Sequence, residues 1–418
     1  MKRKSISMLS AAAALIVAAG CSSGGGGSGG SAGAGASGSA SALQTVTVGL
    51  LADITGPAAS SSKTVVGGVK AGTYYAAREG YKIKYVVGDS QTNPTTALSV
   101  AQKFVTQDHV QAVISFSSLA FGAANYLTAH HIPVVGSSHD GPEWITAENM
   151  FSITGATHTT MVTTTAGKYL KMQGVTRLAS VGYSISPSSS EAASAAAESA
   201  KAAGISVGFL DAKFPFGSTN VGPEVLGMKN AKIDGFYASV EPNTAFALLT
   251  GLRDQGVNLK TALLFTGYGG DLTQGGPGAI DAAQGVSFAV PFEPVEMQTP
   301  ATKQFESDLR SAGLAGEPTF ANYGGYVSVG LLVQGLKAAG PKPTNASLIT
   351  ALSNIHDFTA LGLYGSHKLD INDRTNIVGG VDNCLWMVKL QGSSFKLVNG
   401  ATPVCGDILK GVTVAPAS

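Results

Sequence analysis

Residues 110–141, VQAVISFSSLAFGAANYLTAHHIPVVGSSHDG, constrain the fold more than any other stretch of this chain. Val110, Ala112, Val113, Ile114 and Phe116 form a short apolar run that reads as a buried strand. Ser117 and Ser118 close it, and 119–131 reads as a helix. A second buried strand, 132–135, runs into Gly136-Ser137-Ser138-His139-Asp140-Gly141. Strand, helix and strand at this length make a βαβ unit, with parallel strands and a right-handed crossover. Both strands therefore release small polar residues at one carboxyl edge, where open α/β sheets bind ligands. Backbone N–H groups at the start of helix 119–131 suit an anion such as a carboxylate. Serines at a βα junction also serve as plain N-caps, so cap and site both stand at this point.

The same alternation continues along the chain. Strands are predicted over 45–51, 81–87, 150–153, 176–181, 205–210, 233–239, 263–265 and 286–292. Helices are predicted over 65–79, 95–107, 158–172, an alanine-rich 191–203, 302–312, 323–338 and 347–355. Such alternation means an α/β fold with largely parallel sheets. From residue 361 onward the pattern changes to short antiparallel strands, with 385–390 and 395–398 flanking Gly392-Ser393-Ser394. A chain of 418 residues exceeds one ordinary core, so two domains are expected.

The beginning of the chain is a targeting segment. Lys2, Arg3 and Lys4 form a positive region, and 8–19 is an apolar stretch too short to span a bilayer. Ala18-Ala19-Gly20-Cys21 resembles a bacterial lipobox, with Ala18 where that pattern prefers Leu. The resemblance implies a signal peptide over 1–20 and a lipid on Cys21 as the first mature residue. Residues 22–42 are all Ser, Gly or Ala. A tract that buries no apolar surface reads as a disordered tether, roughly 25 Å end to end as a random coil. The lipid-anchored linker therefore covers 21–43.

Charged residues make up only 13% of the chain and the net charge is +1, which excludes a nucleic-acid footprint or a polybasic membrane patch. The three cysteines, 21, 384 and 405, contain no C-x-x-C spacing, so no zinc or redox site is expected. In an exported protein Cys384 and Cys405 are expected to form a disulfide, worth about 3 kcal/mol by chain entropy. Ser60-Ser61-Ser62-Lys63 matches the S-x-x-K of serine acyl-transferases, but neither S-D-N nor K-T-G follows. A G-x-S-x-G elbow, an H-E-x-x-H pair and a Walker A loop are absent, and the seven histidines are scattered. The reading is a binding protein, not an enzyme, with neither cofactor nor metal.

Four stretches resemble the type I periplasmic-binding fold, specifically the branched-chain amino-acid binding family that feeds ABC importers. Val48-Gly49-Leu50-Leu51 followed by Thr55-Gly56-Pro57 resembles that family's opening strand and loop. Gly88-Asp89-Ser90 followed by Asn93-Pro94-Thr95-Thr96-Ala97 resembles its second strand and helix start. Residues 114–118 and 134–138 resemble the paired ligand strands, and Asp234-Gly235-Phe236-Tyr237 with Glu241-Pro242 resembles the second lobe's hinge-facing strand. The resemblance covers about 44–400. It implies two doubly wound α/β lobes joined by a hinge, lobe 1 over 44–155 and 291–382, lobe 2 over 156–290 and 383–418.

By the same resemblance, Ser117, Ser118, Ser138 and His139 stand where the family holds a ligand carboxylate. Ser60 and Ser61 lie in the first loop, without the aromatic lid common there. The loop Gly182-Tyr183-Ser184 departs from the family's Asp-x-x-(Tyr/Phe)-Gly, and Tyr183 is either an aromatic wall or a half-buried strand-end tyrosine. Ser239 and Glu241 follow the next strand; Glu241 either meets a ligand ammonium or begins the helix after Pro242. Tyr268 or Gly269 stands at the place of the family's ammonium-binding acid, leaving Asp140 or Asp271 to substitute for it. The implied partners are a small amino acid, amide or carboxylate and ABC permease subunits, for a monomer anchored outside the cytoplasm. A ligand sensor of the same fold is the alternative. Cys21→Ala is expected to move the protein from the membrane pellet to the soluble fraction; a variant that stays in the pellet, beside a lipid-free wild type, overturns the lipobox reading.

Overall fold

The strand Gln44–Ala52 is the centre from which the first sheet grows. Its Val46, Val48, Leu50 and Ala52 enter one core cluster, and Leu51 enters another on the opposite face. Both faces are therefore covered, as an all-parallel sheet requires. In the computed structural model, which describes residues 43–137, 139, 141–376 and 378–416, this sheet has five strands. Their spatial order is Tyr81–Asp89, Gln44–Ala52, Ala112–Phe116, Val134–Gly136 and Met150–Ser152, all parallel. The chain winds to one side of Gln44–Ala52 and then to the other, so the strand order reverses between Gln44–Ala52 and Ala112–Phe116. The predicted signal peptide and tether lie outside the described residues.

The second sheet repeats the pattern. Ser287–Val290, Thr261–Leu264, Gly235–Ser239, Arg177–Tyr183 and Ser206–Phe214 follow one another as parallel neighbours. Its order reverses between Arg177–Tyr183 and Gly235–Ser239. Cys384–Gln391 and Ser394–Leu397 extend the sheet antiparallel at its far edge. Val404–Cys405 pairs with Cys384–Gln391, and the Cys384–Cys405 disulfide closes there with Cα atoms 4.0 Å apart.

Helices far along the chain return to cover the first sheet. Phe320–Ala339 starts in a capping box made by Thr319 and Asn322 and is buried almost all round. It lies against Val65–Arg78 at backbone contact. A Cβ on Gly72 would stand 2.6 Å from Val329 Cβ, and one on Gly325 would stand 2.6 Å from Val65 O. Only glycine permits that approach. The bidentate Arg78–Asp308 pair (2.7 and 2.6 Å), with Tyr326 donating to the same carboxylate at 2.8 Å, fastens the Pro300–Ser311 helix to this bundle.

Two sequence expectations differ from the structure. The single helix expected over 158–172 is a strand, Met161–Thr163, followed by a helix, Thr165–Met172. The threonine-rich start has strand propensity, and the strand pairs antiparallel with Ile408–Thr413, a partner some 250 residues away. The antiparallel pattern expected from 361 onward begins at Cys384, where its two named strands form as Cys384–Gln391 and Ser394–Leu397; the short 3-10 helices Ala360–Gly362 and Val381–Asn383 precede them. Among the described residues no helix is long and apolar enough to cross a membrane.

Candidate functional site

Both reversal points present their carboxyl edges, and a buried carboxylate organises the first. Asp53 follows the Gln44–Ala52 strand and is fully buried. Its Oδ1 accepts from Ser117 Oγ at 2.9 Å and from Ser90 Oγ, while its Oδ2 accepts from the Ser118 backbone N–H at 2.7 Å. Ser62 Oγ donates to Phe116 O at 2.6 Å and lies 3.2 Å from Asp53 N. Three strand ends thus converge on the Asp53 side chain, and the loop helix reaches its backbone N–H. One anion at this edge is the chain's own. The helix begins at Phe121, and two N–H groups ahead of it are occupied: Ser118 N by Asp53 and Ala120 N by Ser117 O.

The second edge is tied in the same manner by Tyr183. Its hydroxyl donates to Thr244 Oγ1 at 2.7 Å and accepts from Glu241 N at 2.9 Å. Its own N–H donates to Ser189 Oγ at 2.8 Å, and Ser189 Oγ donates to Ser239 O. The ring packs on Phe216 with centroids 4.6 Å apart.

Between these edges lies a cavity of about 300 Å³. Ser61, Ser118, Ser137 and His139 reach it from the first sheet's side; Ser188, Ser239, Glu241 and Thr266 reach it from the second, and Phe320 adds an aromatic wall. The two sides touch around it. Ser188 Oγ donates to His139 O, and a Cβ on Gly217 would stand 2.6 Å from Pro57 Cβ. Hydroxyls dominate the wall, and among the described residues no lysine or arginine lines it. Those of Ser118, Ser137 and Ser239 hydrogen-bond nothing among the described residues, which leaves them for a ligand.

His139 is the titratable group of the first side. Its Nε2 is buried without a partner, and its ring stands edge-on to Phe116 at 4.7 Å between centroids. Burial pulls its pKa down from 6.5 to about 4, with the charge of Asp53 opposing. The imidazole is therefore neutral at physiological pH, able to donate or accept one bond through Nε2.

Of the residues singled out in the sequence, Ser61, Ser118, His139, Ser239 and Glu241 stand at the cavity wall. Ser60, Ser117, Tyr183 and Tyr268 do not. Ser117 is held by Asp53, and Tyr183 is buried in its own network. Tyr268 donates to Glu296 Oε2 at 2.7 Å and packs edge-on to Phe395 at 5.1 Å. Ser60 Oγ is buried without a partner, away from this wall. Glu241 occupies the N-cap position of Pro242–Asp254, but its side chain makes no capping bond. Asp271 is also off the wall: its carboxyl oxygens lack partners, and burial pushes its pKa well above the usual range, with Lys63 opposing. Ser138 and Asp140 lie outside the described residues. Sequence reasoning missed Asp53, Phe320 and Thr266. An acid directly after a buried apolar strand was the available signal for Asp53; Phe320 arrives from a helix two hundred residues on and carried none.

A family profile described as "Periplasmic binding protein" matches residues 45–394. No curated protein sequence matches. Among solved structures, an ABC-transporter solute binding protein of R. palustris in complex with 4-hydroxybenzoate is 19% identical. The match covers 85% of this chain and 96% of that one, with a TM-score of 0.71. A second R. palustris solute binding protein, in complex with benzoate, is 18% identical over 87% and 98%, with a TM-score of 0.72. A leucine binding protein of Thermotoga maritima is 16% identical over 84% and 97%, with a TM-score of 0.69. At these identities the likeness is one of fold.

Asp53→Ala is expected to lower stability by about 3 kcal/mol or more, since each orphaned buried donor costs about 1–3 kcal/mol; urea unfolding followed by tryptophan fluorescence measures it. The His139 pKa, depressed when folded, gives stability that is complete above pH 6.5 and is lost as pH falls towards about 4. The ligand-free wild type should thus lose up to ~3 kcal/mol relative to His139→Gln over that window; parallel slopes for the two proteins refute this.

Proposed function

Because the chain belongs to the periplasmic binding protein family, we propose that it captures a small carboxylate or amide by closure of two α/β lobes and delivers it to an ABC importer. Members of this family bind solutes; the chain is a binding protein and not an enzyme, and its place is outside the cytoplasm. Lobe 1 comprises 44–155 and 291–382, and lobe 2 comprises 156–290 and 383–418. A lipid on Cys21 keeps the protein at the membrane, next to its permease.

The observation that carries the reading is the hydroxyl-rich cavity at two facing reversal points. Ligands of open α/β sheets bind at such edges, and a cleft between lobes closes when its ligand favours the closed state. Benzoate, 4-hydroxybenzoate and leucine, named for the similar structures, each join a carboxylate to an apolar body. Ser118 and Ser137 hydroxyls with the neutral His139 suit the carboxylate or an amide oxygen, and Phe320 suits the body. The expected ammonium-binding acid, Asp271, is off the wall, so an α-amino group has Glu241 as its acidic neighbour there.

Native mass spectrometry of gently purified protein, followed by a thermal-shift panel of amino acids, amides and aromatic acids, identifies the ligand. Ser118→Ala with Ser239→Ala is then expected to weaken it by about ten- to hundredfold, leave the fold intact, and reduce the ligand-induced compaction in small-angle scattering. Unchanged affinity in the double variant overturns the assignment of the cleft.

A further inference from the structure

The cavity does not end at the cleft. On the Pro187–Ala202 helix its wall is Ser188, Ala192, Ala195, Ala196 and Ser199. These positions fall at i, i+4, i+7, i+8 and i+11, one stripe of a helix, and eleven residues span roughly 16 Å. Ser188 stands at the cleft, where it meets His139 O; Ser199 stands deep in the half built on the second sheet, where its Oγ accepts from Gly167 N at 2.9 Å.

The sheet supplies the facing wall. Ser239 and Tyr237 alternate on one face of Gly235–Ser239, so Tyr237 lies about 6–7 Å further from the carboxyl edge. Ala289 and Leu385 on other strands of the sheet, with Phe265 just past Thr261–Leu264, continue that wall. Ser199 and Thr165 also line the cavity, but their hydroxyl oxygens are engaged, by Gly167 N and Asn383 O, whereas the Tyr237 hydroxyl is not. Tyr237 is 4% exposed, and that hydroxyl makes no hydrogen bond among the described residues. Its neighbours differ: Tyr169 in the same core cluster donates to Ser287 Oγ at 2.5 Å, and Tyr183 donates to Thr244. Buried tyrosine hydroxyls normally find a partner. Alanines at 192, 195 and 196 keep the space open where leucines would fill it, and an unfilled cavity is costly to stability.

We propose that this chamber takes the apolar body of an elongated amphiphile, whose carboxylate or amide head stays in the cleft. The far end of that ligand carries an oxygen that meets the Tyr237 hydroxyl. The ligand class is thus a straight alkyl or aryl acid or amide with a terminal polar group, up to ~16 Å long. The inference rests on the binding-protein reading above and adds a direction and a length to it.

Calorimetry with two probe series tests it: unbranched alkanoic acids from three to ten carbons, and the same acids bearing a terminal hydroxyl. Wild-type affinity is expected to rise about fourfold per methylene until the chamber is full. Ala192→Leu with Ala195→Leu, both at half-buried positions, is expected to lower affinity for the longest acids at least tenfold and leave propionate binding unchanged. Tyr237→Phe, which keeps the ring, is expected to weaken only the hydroxylated series, by about tenfold. Affinity independent of length, or equal loss for short and long acids in the leucine variant, overturns the chamber. If such length-independent binding still depends on Ser118 and Ser239, the cleft stands without it. A wild type that binds no member of either series overturns the ligand class.

Discussion

The Asp53 carboxylate is the constraint on which the binding face depends. Placing it in the dry end of a parallel sheet demands full hydrogen bonding, and the chain meets the demand with Ser90, Ser117 and the Ser118 N–H. The donors come from two other strand ends, that of Ser90 and that of Ser117 and Ser118, so satisfying one charge fixes the relative positions of three segments. In the proposed reading, the ligand meets the next layer out. Ser118 turns its N–H inward to Asp53 and leaves its hydroxyl for the cavity. Tyr183 does at the second edge what Asp53 does at the first, using a neutral hydroxyl and two serine links. A site framed by two self-satisfied networks is preorganised, so binding orders fewer side chains.

Small residues set the other dimension of the structure. Glycines 72 and 325 draw the Val65–Arg78 and Phe320–Ala339 helices into backbone contact, which carries Phe320 to the wall of the cleft. Alanines on Pro187–Ala202 do the opposite, holding the helix near the sheet while leaving volume between them. Close approach and retained space thus come from side chains of nearly equal size in different settings. The cavity so formed has hydroxyls, a neutral imidazole, one glutamate and aromatic rings at its surface. Such a surface suits directed hydrogen bonds and apolar fit, and among the described residues it has no lysine or arginine to hold an anion by charge alone.

Much of this protein was legible in its sequence. The apolar runs that end in polar residues mark the parallel strands, and the βαβ unit at 110–141 locates one carboxyl edge. Two cysteines in an exported chain foretell the disulfide at Cys384 and Cys405. These features are local: periodicity, chain connectivity and covalent chemistry act over a few tens of residues. Tertiary structure alone decided which polar side chain meets which partner. Ser117 and Ser118 are adjacent and alike in sequence, yet only the position of Asp53, more than sixty residues earlier, assigns one hydroxyl to the interior and leaves the other for a ligand. Thr159 to Thr165 became strand and then helix because Ile408–Thr413 arrived to pair. Tyr183 ends a strand, Tyr237 lies within one and Tyr268 follows one, and packing alone gave the first and last hydroxyl partners and left Tyr237 facing a cavity. Hydrogen-bond satisfaction is a property of the whole fold, and no window of sequence contains both partners.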